Sequence, residues 1–538
     1  MRTLIIHALL FAICGITTGC RFATCLVVEN GTSDDILFKT SHTGKVYLIP
    51  SQTKCKVPHT KGKCEVQNGS NYWCYTSIAF PHKEDEAYQY SHSEFYNTRT
   101  LHIKLMPTGQ ITIPAASVIQ PIGFPIYPFE KNFSADICII LVDSLRADHL
   151  GCYGYERDTS PAIDAFAAGA VRFDQAIASG SWTQPSIMSM MTSVPADVHQ
   201  RVHWGRPHST NVVTLAETLQ KAGYQTVGLV ANPMMNRKYG FARGFDFYDD
   251  YSLTGAPDAT QSDIARQTAQ GAKLTRLAQD WIERRRDPEM PLFLFVHYID
   301  VHWDYLPPPP FNRMFAPDPI PPPRDIWNMG RKSVPEVARK RSIAAYDGEI
   351  RYTDSCISNL LATIEASPRG KDTIVVICSD HGESFWERGV ASHGNGLYEE
   401  EIRVPLIIRP ACGDGAPAPG RIVTQQVGLI DLAPTLTDLA SVPAPTNWAG
   451  RSLMPALWDE TPPGVPIILD NRIGNNGTIL RGIRTSRWKI LATPPYDRPT
   501  ELYDLRIDPT ETNNLLQTDS FSLPSKVKAL LPLLKPTK

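Results

Sequence analysis

The sequence predicts an α/β fold built on a mostly parallel sheet, with an N-terminal β module before it and a small C-terminal antiparallel subdomain after it. Three observations predict this fold. Between about residues 134 and 460, apolar runs alternate with amphipathic segments, which is typical of βα units. Residues 21–115 carry only short β-type runs separated by Gly, Asn, Ser and Pro, and β-type runs return over residues 461–538.

The composition is that of an ordinary globular protein. The chain has 538 residues, of which 42% are hydrophobic and 20% are charged, and its formal net charge is -2. A chain of this length can bury a large core in one or several domains. It has no excess of basic residues that could neutralise a polyanion, so no nucleic-acid partner is expected.

Residues 1–20 have the pattern of a signal peptide. A basic start is followed by an apolar run over residues 4–16, which is too short to span a bilayer comfortably. The run ends in small residues before Gly19-Cys20, a pair that also resembles a bacterial lipoprotein processing site. Ordinary secretion and an uncleaved anchor stay open as alternatives. We expect an exported protein, periplasmic or on the cell surface, that meets the membrane only through a lipid anchor at Cys20.

The N-terminal module, residues 21–115, is expected to be a small β-sandwich or a related module. Four cysteines, at positions 25, 55, 64 and 74, suggest two disulfides in an exported segment, with three connectivities open. A packing accessory, a spacer and a carbohydrate-contacting module all fit this segment. A Pro-rich linker, residues 116–133, leads into the catalytic domain.

The predicted catalytic domain, residues 134–460, contains five apolar strand candidates. These runs cover residues 137–142, 225–230, 292–296, 373–378 and 405–408. Helices are predicted over residues 161–168 and 214–222, each ended by a glycine suited to a left-handed stop, Gly169 and Gly223. Cys138 and Cys378 lie inside strand candidates, where a cysteine usually serves as a small buried hydrophobe. Four further runs, over residues 466–469, 480–485, 488–491 and 501–505, predict the C-terminal antiparallel subdomain.

Two strand candidates end in acidic residues. One run leads to Asp143, and another leads to Asp380 followed by His381. Ligands of open α/β sheets bind beyond the carboxyl ends of the strands, so side chains at these ends can converge. One carboxylate after a strand is usually a turn residue, but two such ends together indicate a divalent metal site.

Thr183 lies just before a third helical segment, residues 187–192. Pro185 suits the first position of a helix, so Thr183 is expected at the helix N-terminus, where backbone N–H groups and the helix dipole favour anions. The hydroxyl can act there as a nucleophile or as an ordinary helix cap. His302 follows the strand candidate 292–296, and His393 follows the Asp380 segment, so both are candidates for the same face of the sheet, with structural roles open.

Six ordered blocks together resemble the sulfatase and alkaline phosphatase superfamily from about residue 134 to 515. They are residues 142–154 (VDSLRADHLGCYG), 159–164 (TSPAID), 297–302 (HYIDVH), 379–383 (SDHGE), 403–409 (RVPLIIR) and 501–505 (ELYDL). This resemblance implies an alkaline-phosphatase-like, doubly wound core that the small C-terminal sheet completes.

The chain departs from sulfatases at the nucleophile. Sulfatases carry CxPSR or SxPSR there and convert the Cys or Ser to formylglycine, whereas this chain has Thr183-Gln184-Pro185-Ser186-Ile187. A threonine side chain cannot give that aldehyde, so no formylglycine is expected. The pattern is similar to phosphoethanolamine transferases and lipoteichoic acid synthases, although the set of N-terminal transmembrane helices typical of that branch is missing.

This second resemblance implies one divalent metal ion held by four residues: Asp143, Thr183, Asp380 and His381. The mixed oxygen and nitrogen ligands favour Zn²⁺ or Mn²⁺, with Mg²⁺ and Ca²⁺ open. His302 would bind the substrate or protonate the leaving oxygen, and His393 takes the place of a lysine that binds this oxygen in sulfatases. Both histidines are also candidates for a second metal site, but one ion is expected.

The resulting hypothesis is hydrolysis of phosphate mono- or diesters through a covalent Thr183 ester. The partner would be a charged ester, which a glycan or a lipid could carry. Sulfuric ester hydrolysis, transfer of a phosphorylated group and a non-catalytic module that binds anionic glycans are the alternatives. The Pro-rich stretch 305–323 is either a lid over the site or a passive surface loop.

Overall fold

A computed structural model gives the backbone of the strands between residues 23 and 112. It gives backbone and side chains over residues 135–200, 211–250, 270–316, 334–411, 417–458, 464–471, 480–518 and 522–536. The chain divides into two compact units, residues 1–128 and 129–538. The predicted leader with Cys20 and the linker 116–133 lie outside the described residues, and so do the side chains of the four N-terminal cysteines. The domain boundaries proposed from the sequence remain predictions.

Every described element of the first unit is a strand, as the sequence predicts. The strands are β1 (Ala23–Asn30), β2 (Ile36–Thr40), β3 (Val46–Ile49), β4 (Lys54–Pro58), β5 (Cys64–Asn68), β6 (Asn71–Tyr75), β7 (Tyr88–Ser93), β8 (Tyr96–Leu105) and β9 (Ile111–Thr112). One sheet has the order β4-β1-β8-β7, with β9 paired to β8, and the other has the order β3-β2-β5-β6. All pairs are antiparallel except β1 with β8.

An eight-stranded sheet forms the centre of the second unit. Its strands are β10 (Asp136–Val142), β11 (Val171–Phe173), β13 (Gln225–Val230), β14 (Phe247–Asp249), β15 (Leu292–Tyr298), β16 (Thr373–Cys378), β20 (Leu406–Arg409) and β21 (Arg421–Val423). Short strands outside it are β12 (Ala176–Ile177), β17 (Ser384–Phe385), β18 (Ala391–Ser392), β19 (Arg403–Val404) and β22 (Val427–Gly428). All five predicted strands are present within two residues of their expected bounds.

The order of the central sheet is β14-β13-β15-β10-β16-β20-β11-β21. Its neighbours run parallel except at β20, which is antiparallel to both β16 and β11. Strand β10 lies at the middle, between β15 and β16. The ends of these three strands therefore meet at one edge, which confirms the mostly parallel sheet predicted from the sequence.

Helices cover both faces of this sheet. They are α1 (Pro161–Ala168), α2 (Thr183–Thr192), α3 (Ala196–His199), α4 (Leu215–Lys221), α5 (Gln270–Asp280), α6 (Glu336–Ala366), α7 (Glu399–Ile402), α8 (Leu432–Leu439), α9 (Met454–Trp458) and α10 (Ser525–Leu530). Alternate residues of β10 enter two different cores, with Ile139 in one and Ile140 in the other. Cys138 and Cys378 are both buried, as expected, one in each core. This two-sided burial is that of a doubly wound fold.

The predicted helix ends are partly wrong. Helix α4 ends before Gly223, whose φ of 92° is left-handed as expected, but Gly169 after α1 has a φ of -103°. Helix α2 begins at Thr183, so Pro185 occupies its third position instead of its first. A proline at either position destabilises the helix little, because the N–H groups of the first turn have no partner within the helix.

The C-terminal antiparallel sheet is confirmed and packs on the same unit. Its strands, β23 (Ile467–Asn471), β24 (Leu480–Arg484), β25 (Trp488–Ala492) and β26 (Glu501–Asp504), pair in sequence order. Leu469 and Leu491 share a core with Ile177 and Ile402 of the catalytic domain. Among the residues that the structure describes, no helix combines the length and apolar character needed to cross a bilayer.

Candidate active site

Asp143 and Asp380 lie next to each other at the edge where neighbouring parallel strands end. Asp143 directly follows β10, and Asp380 comes two residues after β16 ends at Cys378. Ser144, with a left-handed φ of 60°, turns the chain so that its N–H donates to Oδ1 of Asp380 at 3.3 Å. Both carboxylates are fully buried. The strand-end prediction therefore brings two acids together in an enclosed site.

His381 turns an unprotonated nitrogen toward these carboxylates. Its Nδ1 lies 2.9 Å from the carbonyl oxygen of Gly382, which can only accept, so Nδ1 carries the hydrogen and Nε2 carries a lone pair. Nε2 lies 3.5 Å from Oδ1 of Asp143 and 3.4 Å from Oδ2 of Asp380. Burial, and next the nearby His393, lower the pKa of His381 well below its usual value, which keeps the ring neutral.

Thr183 completes this group at the start of α2. Its Oγ1 lies 3.4 Å from Nε2 of His381, and the residue is 2% exposed. One turn further on, the Ser186 hydroxyl donates to the carbonyl oxygen of Asp380 at 2.5 Å, so the helix is fixed to the strand end. The structure thus brings all four predicted metal ligands together.

A divalent cation fits this arrangement. One ligand atom from each of Asp143, Asp380 and His381 lies within 4.8 Å of the others. Oδ2 of Asp380 is buried without a hydrogen-bond partner. Burial, and next the charge of Asp143, raise the pKa of Asp380 well above its usual value. Two carboxylates and an imidazole lone pair repel one another unless a positive charge lies between them, so the electrostatics favour a cation.

Asn232 and His297 support Asp143 from the other side. Nδ2 of Asn232 donates to Oδ2 of Asp143 at 2.6 Å, and Nε2 of His297 lies 3.3 Å from the same oxygen. Burial alone would raise the pKa of Asp143, but the contact with His297 and next the charge of His302 hold it well below its usual range. Sequence reasoning missed Asn232, although it follows the predicted strand β13 and the strand-end rule applies to it.

His393 lies beside His381, and His302 lies beside His393. The ring of His393 is centred 4.2 Å from that of His381 and 4.8 Å from that of His302. Nδ1 of His302 lies 2.6 Å from the carbonyl oxygen of Trp303, which can only accept, so Nδ1 carries a hydrogen. Burial, and next His302, lower the pKa of His393 to about 3. A second metal site at these histidines remains a sequence hypothesis.

Glu383 is a further acid in the site. It ends the block 379–383, and no role is predicted for it from the sequence. Its Oε2 lies 3.3 Å from Nδ1 of His393, and its Oε1 is buried without a hydrogen-bond partner. Burial raises the pKa of Glu383 to about 8, against the opposing charge of His302. Tyr305, the first residue of the Pro-rich stretch, packs beside it on Phe385. Residues 317–323 of that stretch lie outside the described part, so the lid remains a prediction.

The C-terminal sheet holds the loops that carry Thr183 and His393. The Asp470 N–H donates to the carbonyl oxygen of Ser179 at 2.8 Å. Asn471 Nδ2 lies 3.2 Å from the carbonyl oxygen of Gly394. Gly394 in turn donates its N–H to the carbonyl oxygen of Ser181 at 2.8 Å. Strand β23 therefore joins the segment before the nucleophile to the segment after His393.

Comparisons with known proteins agree with this fold. The sulfatase family model matches residues 135–442, and the model of the N-sulphoglucosamine sulphohydrolase C-terminal region matches residues 394–532. Iduronate 2-sulfatase of Mus musculus is 26% identical over 387 residues, 58% of this chain and 69% of its own. An arylsulfatase of Clostridium perfringens is 26% identical over 444 residues, 72% of this chain and 91% of its own.

Two solved structures show the same fold. BT4656, in complex with its substrate D-glucosamine-2-N,6-O-disulfate, has a TM-score of 0.59 at 21% identity and covers 74% of this chain and 97% of its own. The phosphonate monoester hydrolase of Silicibacter pomeroyi has a TM-score of 0.59 at 21% identity, covering 74% of this chain and 94% of its own.

The fold and the buried acid, histidine and hydroxyl group define a hydrolase of the alkaline-phosphatase-like superfamily. The sulfatase family model matches more than half of this chain, so the chain belongs to the sulfatase family. Members of this family are typically metal-dependent, which agrees with the ligand geometry at Asp143, Asp380 and His381.

Proposed function

We propose that this sulfatase-family hydrolase cleaves phosphate mono- or diesters through a covalent Thr183 ester, with one divalent metal ion. The observation that carries the proposal is the position of the Thr183 hydroxyl, 3.4 Å from the lone-pair nitrogen of His381 in a site that also holds two buried carboxylates. The hydroxyl occupies the place of the formylglycine precursor, and a threonine cannot form that aldehyde. The unmodified side chain is then the nucleophile.

The metal would be held by Asp143, Thr183, Asp380 and His381. When bound there, it supplies positive charge that lowers the pKa of the attacking hydroxyl and offsets charge on the reacting group. The donor set favours Zn²⁺ or Mn²⁺.

The protein performs the reaction in two displacements. The Thr183 oxygen forms a bond to phosphorus as the bond to the leaving oxygen breaks. The proton of the Thr183 hydroxyl passes to His302 and His393. His302 then delivers a proton to the leaving oxygen, to which His393 binds. Water then attacks phosphorus and gives a proton to the histidines, which pass it to the Thr183 oxygen as that oxygen leaves. The products are free enzyme and phosphate, or a phosphate monoester when the substrate is a diester. The N-terminus of α2 favours the negative charge of the bound group.

Sulfuric ester hydrolysis is the second candidate. The similarity to iduronate 2-sulfatase and arylsulfatase favours it, and the substrate of BT4656 suggests a sugar as the carrier of the ester. The unmodified threonine favours attack on phosphorus over attack on sulfur, because the pattern around Thr183 resembles that of enzymes that act on phosphate esters. Transfer of the group to an acceptor alcohol, in place of water, uses the same first displacement and stands third.

A substrate panel tests the proposal. Aryl phosphate, aryl phosphodiester and aryl sulfate are assayed with the wild type, Thr183→Val and Thr183→Ser, each loaded with Zn²⁺ or Mn²⁺. We expect phosphate turnover to exceed sulfate turnover, the Val variant to be inactive and the Ser variant to keep partial activity. Trapped protein should carry one phosphoryl group on the Thr183 peptide. Higher sulfate turnover would reverse the preference, and an active Val variant would remove Thr183 from the chemistry.

Metal analysis separates an enzyme from a module that only binds anionic glycans. We expect about one divalent ion per chain after loading, with activity that follows occupancy. A protein that binds sulfated or phosphorylated glycans but neither takes up Zn²⁺ or Mn²⁺ nor turns over any of the three esters would be the binding module.

We further propose that the protein is exported and anchored by a lipid on Cys20. The support is the leader pattern of residues 1–20. Cys20→Ser should move the protein from the membrane fraction to the soluble exported fraction. An unchanged distribution between the fractions would leave ordinary secretion or an uncleaved anchor.

A further inference from the structure

The turn after β10 has a backbone conformation that its surroundings must hold in place. Ser144 has a φ of 60°, in the left-handed region that a residue with a Cβ adopts only at a cost. In this conformation its N–H donates to Oδ1 of Asp380 at 3.3 Å, and its hydroxyl donates to Oδ1 of Asp143 at 3.0 Å. The turn therefore orients both carboxylates of the candidate metal site.

The Tyr346 hydroxyl, on helix α6, bonds to both ends of this turn. It donates to the carbonyl oxygen of Ser144 at 2.8 Å and accepts from the Arg146 N–H at 2.8 Å. The residue is fully buried, so water does not compete for these contacts. Between them, the Leu145 N–H donates to the Ser379 hydroxyl at 2.9 Å. Loss of the Tyr346 hydroxyl would leave two backbone groups of the turn without these partners.

The ring of Tyr346 is fixed by three aromatic neighbours. It meets His149, Tyr305 and Phe385 edge-on, with ring centroids 5.1, 5.5 and 4.9 Å away. Burial raises the pKa of Tyr346 well above its usual value, so the hydroxyl keeps the hydrogen that it donates. The hydroxyl is thus presented to the turn in one orientation, and it does not depend on a bound ion for its position.

We propose that Tyr346 is a positioning residue for the metal site, whose hydroxyl holds the Ser144 turn and so presets Asp143 and Asp380 for the cation. This inference rests on the proposed function only in requiring a divalent ion at these carboxylates. Ligands that are in place before the ion arrives raise its affinity, because binding then costs less reordering. Tyr346 lies 200 residues after Arg146, outside the six blocks that carry the family resemblance.

A purely structural role is the competing explanation, and Tyr224 provides the matched control. Its hydroxyl, in a residue that is 2% exposed, donates to the carbonyl oxygen of Ala135 at 2.9 Å. Ala135 directly precedes β10, so it lies at the end of the strand opposite to Ser144. Tyr224→Phe and Tyr346→Phe each remove one buried hydroxyl that donates to the backbone beside the same strand. Only Tyr346→Phe does so at the end that carries the metal ligands.

The experiment measures metal affinity, Tm and amide hydrogen exchange in full-length wild type, Tyr346→Phe and Tyr224→Phe. Mn²⁺ is titrated by calorimetry into metal-free protein, and Tm and exchange are recorded without metal. We expect both variants to lower the Tm to a similar extent, but only Tyr346→Phe to bind Mn²⁺ about 10- to 100-fold more weakly. The amides of Ser144, Leu145 and Arg146 should all exchange about tenfold faster in Tyr346→Phe, and at the wild-type rate in Tyr224→Phe.

Wild-type Mn²⁺ affinity in Tyr346→Phe would overturn the proposal, and so would an equal loss of affinity in both variants. Faster exchange at Arg146 alone would also overturn it, because Tyr346 would then support one amide and not the turn. If Tyr346→Phe does not fold, exchange in the metal-free wild type decides: slow exchange of all three amides supports a turn set before the ion binds, and the rates of an unstructured segment contradict it.

Failure of the proposed function gives a different result. It appears as a wild type that takes up neither Mn²⁺ nor Zn²⁺, or that turns over none of the three esters. The exchange comparison of wild type and Tyr346→Phe needs neither metal nor substrate, so it still decides in that case whether Tyr346 fixes the turn.

Discussion

Nε2 of His381 lies 3.5 Å from Oδ1 of Asp143, and neither atom carries a hydrogen to share with the other. Holding a nitrogen lone pair and a carboxylate against each other in a buried site costs folding free energy. A third group of positive charge stabilises such an arrangement. The geometry therefore predicts that a divalent cation bound between these groups stabilises the folded protein.

The first prediction concerns Asp380→Asn. Without metal this variant should be more stable than the wild type at neutral pH, because the raised pKa of Asp380 means that its ionised form is destabilised in the folded protein. It should also lose the rise in Tm that Zn²⁺ or Mn²⁺ gives the wild type, since binding to the native state alone stabilises by mass action. Thermal unfolding with and without metal measures both effects. Glu156→Gln, an exposed acid, is the control and should change neither value. A metal-free Asp380→Asn protein that melts below the wild type would contradict the electrostatic argument.

A buried acid pair outside the metal site gives the second prediction. Asp300 Oδ1 accepts from the Gly271 N–H at 3.0 Å, and Glu349 Oε1 accepts from the Leu306 N–H at 2.8 Å. The second oxygen of each carboxyl is buried without a hydrogen-bond partner. Burial raises the pKa of Asp300 from 3.8 to about 6. Burial, and next the charge of Asp300, raise that of Glu349 well above its usual value.

A raised pKa in the folded state favours the protonated form, so this contribution to stability is complete below about pH 4 and is lost as the pH rises through about 6. For Asp300 the loss is on the order of 2–3 kcal/mol, at about 1.4 kcal/mol per pKa unit. Asp300→Asn keeps the acceptor for Gly271 and should remove this fall in the free energy of unfolding. Urea unfolding from about pH 4 to about pH 8 measures it. Equal pH slopes in wild type and variant would disprove the prediction.

The strand ends were predictable because their cause is local. Uninterrupted apolar runs before Asp143 and Asp380 identify buried parallel strands, and parallel strands bring their carboxyl ends to one edge. Asn232 obeys the same rule, but Ala231-Asn232-Pro233 also has the composition of an ordinary turn, and only the contact with Asp143 separates the two. The antiparallel direction of β20 was not predictable, since an apolar run of four residues carries no information on direction.

Lys489 shows a second limit of sequence reasoning. In β25 it is the single polar residue among four apolar ones, so a solvent-facing side chain is expected, yet it is fully buried. Its Nζ lies 2.8 Å from Glu399 and 2.7 Å from Glu511, residues distant from it in the chain. No local sequence pattern predicts these ion pairs, because tertiary packing brings the two acids to the lysine from distant parts of the chain.

The third prediction follows from this ion pairing. Lys489→Met removes the cation that the buried Glu511 shares with the partly buried Glu399, which should cost about 3–5 kcal/mol in the free energy of unfolding. The double variant Lys489→Met, Glu511→Gln also removes the charge of Glu511, and it should recover part of the lost free energy of unfolding. A double-mutant cycle by urea unfolding measures the coupling. Additive losses would show that Lys489 and Glu511 act independently in the folded protein.

The fourth prediction concerns His393 and the residue that supports its loop, Asn471. If His393 binds the leaving oxygen, its loss should matter most for esters whose leaving group is a strong base. His393→Gln should slow phenyl phosphate by about 100-fold or more, but 2,4-dinitrophenyl phosphate by only about tenfold or less.

Asn471→Leu should shift the same leaving-group dependence by a smaller factor, because Asn471 donates to the carbonyl oxygens of Gly394 and Gly396 at 3.2 and 3.4 Å and so positions the loop without touching substrate. The measurement is kcat/KM over a series of aryl phosphates, plotted against the pKa of the leaving phenol. Asn359→Leu, which removes an exposed asparagine from α6, is the control and should leave the slope unchanged. If Asn471→Leu lowers kcat/KM equally for every leaving group, strand β23 supports the nucleophile segment through Ser179 but has no part in placing His393.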